Sequence, residues 1–371
     1  MPHQIIDNTS SNEQIKICVL GAAGGIGQSL SLLLKTQIHY LIPSNSNKTI
    51  NLSLYDINEE AINGVATDLS HIDTPINMTW FAKGSIDKCL TGANIVVIPA
   101  GMPRKPGMTR DDLFNINAGI IRDLTDSIAA NCDLSKVFVL MISNPVNQLV
   151  PVMHYRFKQL SNGSSSGIEK RIFGITKLDI VRASTFLKGE HDKISNISNL
   201  NMPFVPVIGG HSGETIIPLF SQNNWSQDLS NDTIQTLIHR VQYGGDEVVK
   251  AKNGKGSATL SMAHAAFKCV QDFTNLILGN VHEFDSIGYS TLRDFNNQPI
   301  APGAEKLLNR IDNIQFFAIP MTINLNGTNS INYNIMNNLN SQELNELLPL
   351  CLTKLKKNIE GGQTFIESST A

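Results

Sequence analysis

The sequence predicts an α/β fold, a doubly wound parallel sheet followed by an α+β second domain. Three observations carry this. From Ile15 onward, short β-branched runs alternate with amphipathic helical stretches, the pattern of a parallel sheet covered on both faces. A glycine-rich segment, VLGAAGGIGQ, joins the first apolar run to the first helical one. A polar stretch, SNGSSSGIEK at 161 to 170, then ends the alternation, and a mixed pattern follows.

The apolar runs are IKICVL (15 to 20), INLSLYD (50 to 56), NIVVIPA (94 to 100) and KVFVLMIS (136 to 143). Between them GIGQSLSLLLKT, NEEAINGVATDLSHI and the stretch after Arg110 place apolar residues at helical spacing. Right-handed crossovers turn such a series into a doubly wound nucleotide-binding unit. In RIFGITKLDIVRASTF a strand runs into a helix, and the domain boundary is placed near Gly174. Beyond it we expect a helix near Ser257 to Leu278, short strands between Asn280 and Tyr333, and a closing helix from Ser341 to about Gly361. The predicted organisation is a disordered tail over 1–14, a nucleotide-binding domain over 15–174 and an α+β substrate domain over 175–371. The Asn- and Ser-rich insertions PSNSNK (43 to 48) and HDKISNISNLN (191 to 201) are expected as exposed loops.

With 371 residues, 41% of them hydrophobic, the chain can bury a large core and form two domains around a cleft. A net charge of −3, with no long basic run, supplies no electrostatic footprint for nucleic acid or an anionic membrane, so a small-molecule partner is favoured. The five cysteines are scattered and form no C-x-x-C pair, so neither a disulfide framework nor a zinc site is suggested, and no metal is expected. The first fourteen residues lack both the apolar run of a secretory signal and the Arg-rich pattern of a mitochondrial presequence. The C-terminal ESSTA is not a peroxisomal address, and no stretch reaches membrane-span length. These readings together point to the cytosol.

The segment from Gly21 through Ala22, Ala23, Gly24, Gly25 and Ile26 to Gly27 lies between a strand and a helix. Backbone amides there can approach a pyrophosphate while the helix N-terminus offsets its charge, which makes the fold Rossmann-type. The spacing is G-x-x-G-x-x-G rather than G-x-G-x-x-G, so in isolation it is also compatible with a tight turn. Asp56 ends the second apolar run, where a carboxylate can accept hydrogen bonds from an adenosine ribose and repel an extra phosphate. Two other patterns are set aside. NGKGS (253 to 257) has Gly256 where a Walker loop needs Ser or Thr. None of the six tyrosines has a lysine four residues later, so the Tyr/Lys pair of short-chain dehydrogenases is absent.

VLGAAGGIGQ, AGMPRKPGMTRDDLF, ISNPVN, TKLDIVRA, VIGGHSGET and KNGKGSATLSMA, in this order along nearly the whole chain, resemble the malate dehydrogenases of the lactate/malate dehydrogenase family, the fungal cytosolic forms in particular. The resemblance implies NAD as cofactor, malate and oxaloacetate as substrates, and a homodimer. It makes His211 the proton carrier, a role suited to a side chain that titrates near neutrality, and puts Asp179 behind it to fix the tautomer and stabilise the imidazolium. It assigns Arg182 the carboxylate next to the reacting carbon, Arg104 the distal carboxylate and Arg110 the polarised carbonyl oxygen. A guanidinium can grip each carboxylate with two hydrogen bonds. Asn144 would bridge cofactor and substrate, Ile142 and Ser143 would line the nicotinamide side, and Asn117 and Met262 would be further cofactor contacts.

Arg104 decides between substrates, because a monocarboxylate would leave a partly buried charge unpaired, at a cost of a few kcal/mol. Two alternatives stay open on sequence. One is a dehydrogenase of another 2-hydroxy acid, which would not need Arg104. The other is a catalytically silent dinucleotide-binding scaffold, against which the intact His211, Asp179 and three arginines argue.

Overall fold

The computed structural model describes residues 14–102, 110–164, 166–195 and 201–368. The first half runs β1 (Gln14–Leu20), α1 (Gly25–Gln37), β2 (Thr49–Tyr55), α2 (Glu59–Ser70), β3 (Asn77–Phe81), α3 (Ile86–Leu90), β4 (Ile95–Ile98), α4 (Arg110–Asn131), β5 (Phe138–Met141), α5 (Val146–Leu160) and β6 (Ile172–Gly174). The strands pair parallel in the order β3-β2-β1-β4-β5-β6. The order reverses between β1 and β4, the place beyond whose C-terminal strand ends sheets of this kind form a ligand crevice. Every residue of β4 and β5 is buried, since helices cover both faces, and this is why those segments read as unbroken apolar runs. Gln14, assigned above to the tail, is the first residue of β1 and pairs with Thr49. β3 was not predicted: as an edge strand it has no fully buried residue, so NMTWF carries no apolar run.

The second half contains α6 (Lys177–Ser195), β7 (Val207–Gly209), β8 (Ile216–Pro218), α7 (Asn231–Ala251), α8 (Leu260–Leu278), β9 (Glu283–Thr291), α9 (Ala304–Leu308), β10 (Phe316–Asn324), β11 (Gly327–Ile331) and α10 (Leu348–Ser368). β9 extends the sheet antiparallel to β6, β10 and β7 follow antiparallel, β8 closes that edge, and β11 folds back on β10. The half is α+β as expected, although α7 and the three-residue strands β7 and β8 escaped the sequence reading. Residues 191–195, expected in a loop, form the last turn of α6. Ion pairs of Lys188 with Asp192 and Lys193 with Glu190, one helical turn apart, extend the helix through this polar stretch. The closing helical segment starts at Ser341, passes through a π turn at Glu343–Leu347 and runs as α10 to Ser368, past the predicted Gly361.

Candidate active site

The glycine turn stands at the C-terminal end of β1, and steric requirements explain its composition. Gly21 has φ +96°, and a Cβ there would lie 2.6 Å from Ala100 Cα. A Cβ on Gly27 would lie 2.2 Å from Gly21 O. Side chains at these two positions would fill the cradle or push its walls apart. The amides of Gly21 and Ala22 donate to Tyr55 O at 2.8 and 3.0 Å, tying the turn to β2. Gly24 caps α1 with no side chain at the cap and no acidic residue in the first turn, so the helix's positive end is not offset from within the helix. Asp56 stands just past β2, with Oδ2 accepting the Ala23 N–H at 3.0 Å and Oδ1 the Asn58 N–H at 3.1 Å. The carboxylate thus braces the turn. This cradle fits a dinucleotide.

At the end of β5, Ile142 and Ser143 are buried and Asn144 is exposed. The Ser143 hydroxyl donates to Ile98 O and Ala100 O, so its side chain ties β5 to β4. Asn117, on α4, is almost fully buried: Oδ1 accepts the Met102 N–H at 2.8 Å and Nδ2 donates to Asn144 O at 2.8 Å. It therefore clamps together two chain segments that border the crevice. Met262 packs within the hydrophobic core from α8. Arg104, with Pro103, Pro106 and Gly107, lies outside the described residues. Arg110 is the first residue of α4, and its side chain lies outside them too.

The third group comes from two elements, helix α6 and the loop after β7. Asp179, in the first turn of α6, is fully buried, and its Oδ2 is 2.5 Å from His211 Nδ1 on the loop after β7. Arg182, one turn further along α6, places Nη1 3.7 Å from Asp179 Oδ1, an oxygen with no hydrogen-bond partner. The acid is therefore both the partner of His211 and the counter-charge of Arg182. Burial pushes the Arg182 guanidinium below its ordinary range, partly offset by the negative charge of Asp179. The Arg182 side chain is 13% exposed.

The sequence reading missed the supports of the His211 loop. Asn147 quotes itself in the ISNPVN motif three residues after Asn144, yet its contacts to residues 211 to 215 appear only in the folded chain. Glu214, inside GGHSGE, is paired with Lys354 of α10 at 2.8 Å, and that hydrogen bond is the main reason its carboxyl sits below the usual range. Among the described residues no group of three or more His, Cys, Asp or Glu is arranged to hold a metal, and no helix is long and apolar enough to cross a membrane.

The family model described as lactate/malate dehydrogenase, NAD binding domain, matches residues 15–174, and the lactate/malate dehydrogenase alpha/beta C-terminal domain matches 176–366. The chain is 60% identical to the cytoplasmic malate dehydrogenase of Saccharomyces cerevisiae, covering 100% of both chains. It is 44% identical to the mitochondrial malate dehydrogenase of the same organism, over 95% of this chain and 94% of the other. Among solved structures, malate dehydrogenase from Picrophilus torridus in its apo form superposes with a TM-score of 0.74 at 22% identity, over 96% of this chain and 99% of that one. Lactate dehydrogenase from Cryptosporidium parvum, complexed with lactic acid and the nicotinamide dinucleotide, does so with a TM-score of 0.69 at 20% identity, over 96% and 98%. At these identities the two structures speak to the fold.

Proposed function

The chain belongs to the lactate/malate dehydrogenase family, and on that premise we propose that it interconverts malate and oxaloacetate with NAD, in the cytosol. The observation that carries the reading is the buried Asp179 carboxylate holding His211 on one oxygen and facing Arg182 with the other. NAD, when bound, supplies the hydride acceptor. With Nδ1 engaged by Asp179, Nε2 of His211 is left to take the malate hydroxyl proton and to return it when oxaloacetate is reduced. Asp179 stabilises the imidazolium, and unit charges about 4 Å apart at an effective dielectric near 20 attract by about 4 kcal/mol.

The remaining roles follow the family pattern. Arg182 orients the carboxylate beside the reacting carbon, Arg110 polarises the carbonyl oxygen, and Arg104 takes the distal carboxylate and thereby excludes monocarboxylates. Asn144 bridges cofactor and substrate, a role supported by its exposure just beyond β5. The backbone from Gly21 to Gly27 holds the pyrophosphate and Asp56 the ribose. We assign residues 15–174 to the cofactor and 175–371 to the substrate. The preference for a dicarboxylate is supported by Arg104 and by the identity of the 60% relative. That relative's cytoplasmic designation, set against 44% for the mitochondrial one, supports the location, which imaging of a fluorescent fusion would test. A homodimer, the state implied by the family resemblance, would scatter light with twice the 40.6 kDa of one chain.

The deciding assay is NADH oxidation by the purified protein with oxaloacetate, with pyruvate and without substrate, repeated with NADPH. NADH-selective turnover of oxaloacetate is expected. A preference for pyruvate would move the protein to the lactate branch, and no turnover with any substrate would leave a silent scaffold.

A further inference from the structure

We propose that Asn147 is a positioning residue for the proton carrier, fixing the backbone of His211 relative to the strand end that carries Asn144. This rests on the reaction proposed above. Asn147 is the second residue of α5 and is 1% exposed. Its Oδ1 accepts the backbone N–H of His211 at 2.8 Å. Its Nδ2 donates to Ser212 Oγ at 3.0 Å and Thr215 Oγ1 at 3.1 Å, and lies 3.2 Å from Asn358 Oδ1 on α10. One carboxamide thus touches the histidine backbone, the two hydroxyls that shape the turn after it and the closing helix. The approach is tight: a Cβ on Gly210 would lie 2.6 Å from Thr215 Oγ1 and 2.8 Å from both Asn147 Oδ1 and Nδ2, so a side chain before His211 would displace the clamp.

The loop is rich in glycine, so contacts rather than intrinsic backbone preference have to hold it against its neighbours. His211 follows two glycines, and Gly209 (φ +102°) and Gly213 (φ +47°) adopt conformations that L side chains rarely take. The Gly210 N–H donates to Thr215 O at 2.7 Å, which sets the loop's shape but not its placement against α5. Asp179 holds the imidazole at Nδ1, and Asn147 holds the same residue at its backbone amide. Two attachment points fix the direction of Nε2, whereas one leaves the ring free to swing. Because Asn147 and Asn144 share one strand-to-helix junction, the clamp also refers that direction to the cofactor side of the crevice.

The test compares purified full-length wild type with Asn147→Ala, Asn147→Asp and Tyr289→Phe, measuring kcat and KM for oxaloacetate, Kd for NADH and Tm. Tyr289 donates its hydroxyl to the Asn147 carbonyl at 3.1 Å from a fully buried position, so its loss weakens the packing without altering the carboxamide. A displacement of about 1 Å can cost on the order of 100-fold in rate, so Asn147→Ala should lower kcat roughly 10- to 100-fold. NADH affinity should stay within about twofold, separating a lost transition-state contact from lost binding. Asn147→Asp keeps an acceptor for the His211 N–H but sets a buried carboxylate where Nδ2 donates to Ser212, Thr215 and Asn358, so it should lower Tm while its kcat stays above that of Asn147→Ala, and Tyr289→Phe should lower Tm and leave kcat within about twofold. Wild-type kcat in Asn147→Ala, no rescue by the aspartate, or an equal kcat loss in Tyr289→Phe would each overturn the proposal. If Asn147→Ala does not fold, Asn147→Ser takes its place with the same expectation. An inactive wild type would sink the proposed reaction and this inference with it, whereas an active wild type beside an unaffected variant would sink this inference alone.

Discussion

Replacing Asp179 with asparagine changes one charge and almost no volume, which isolates what the carboxylate does. Oδ2 lies 2.5 Å from His211 Nδ1, Oδ1 lies 3.7 Å from Arg182 Nη1, and the side chain is fully buried. At about 4 Å and an effective dielectric near 20, the attraction lost per unit charge pair is about 4 kcal/mol. Each 1.36 kcal/mol is tenfold in rate, so the imidazolium that forms during malate oxidation loses on the order of 1,000-fold in kcat. A second effect adds to this. If the new amide donates to Nδ1, the ring proton moves to Nε2, the tautomer that cannot accept the substrate's proton, and a loss approaching about 10,000-fold is expected. Steady-state NADH absorbance gives kcat, fluorescence titration gives NADH affinity, and a thermal melt reports the folded state. Arg182 would lose its buried counter-charge, so a lower Tm is expected. A folded Asp179→Asn variant with kcat reduced less than about tenfold would refute the reasoning, because the carboxylate would then not be supporting charge on His211.

Three further predictions follow from the same residues and from one outside the site. His211→Asn should bind NADH normally yet lose nearly all turnover, and undiminished turnover would remove His211 as the proton carrier. Arg104→Gln should weaken oxaloacetate use far more than pyruvate use, read as the ratio of the two kcat/KM values. An unchanged ratio would take substrate choice away from Arg104. His154 is buried, with Nδ1 unpartnered and the Phe295 and Phe316 rings at 5.0 and 5.2 Å. Burial, with a smaller contribution from Lys158, lowers its pKa from 6.5 to about 3. The unfolded chain therefore takes up this proton first, so the stability associated with neutral His154 is intact above pH 6.5 and is lost as pH falls toward 3, by about 1.4 kcal/mol per pH unit. Urea unfolding between pH 7 and pH 4.5 should show a shallower decline in His154→Gln than in wild type, and parallel declines would show that the histidine is charged in the native state.

The sequence alone determined what depends on neighbours a few residues apart. Apolar runs with β-branched residues, helical spacing between them and glycines where the chain must turn sharply specified the parallel half, and the glycine turn is built as its spacing suggested, down to the 2.2 Å conflict a side chain at Gly27 would meet. The motif set pointed to the family without any structure. Where a segment's state is set by partners far along the chain, local pattern failed. β3 is a strand because β2 pairs with it, and α6 continues through 191–195 because its polar side chains find partners one turn apart. The same limit applies within the site. Ser143 sits where the motif put it, but only packing turned its hydroxyl toward β4, and only the fold brought Asp179 within reach of a histidine 32 residues away and Asn147 to the amide of that histidine across 64. Propensity and steric rules act over a few bonds, whereas a hydrogen-bond partner across the chain is selected by the packing of every element between them.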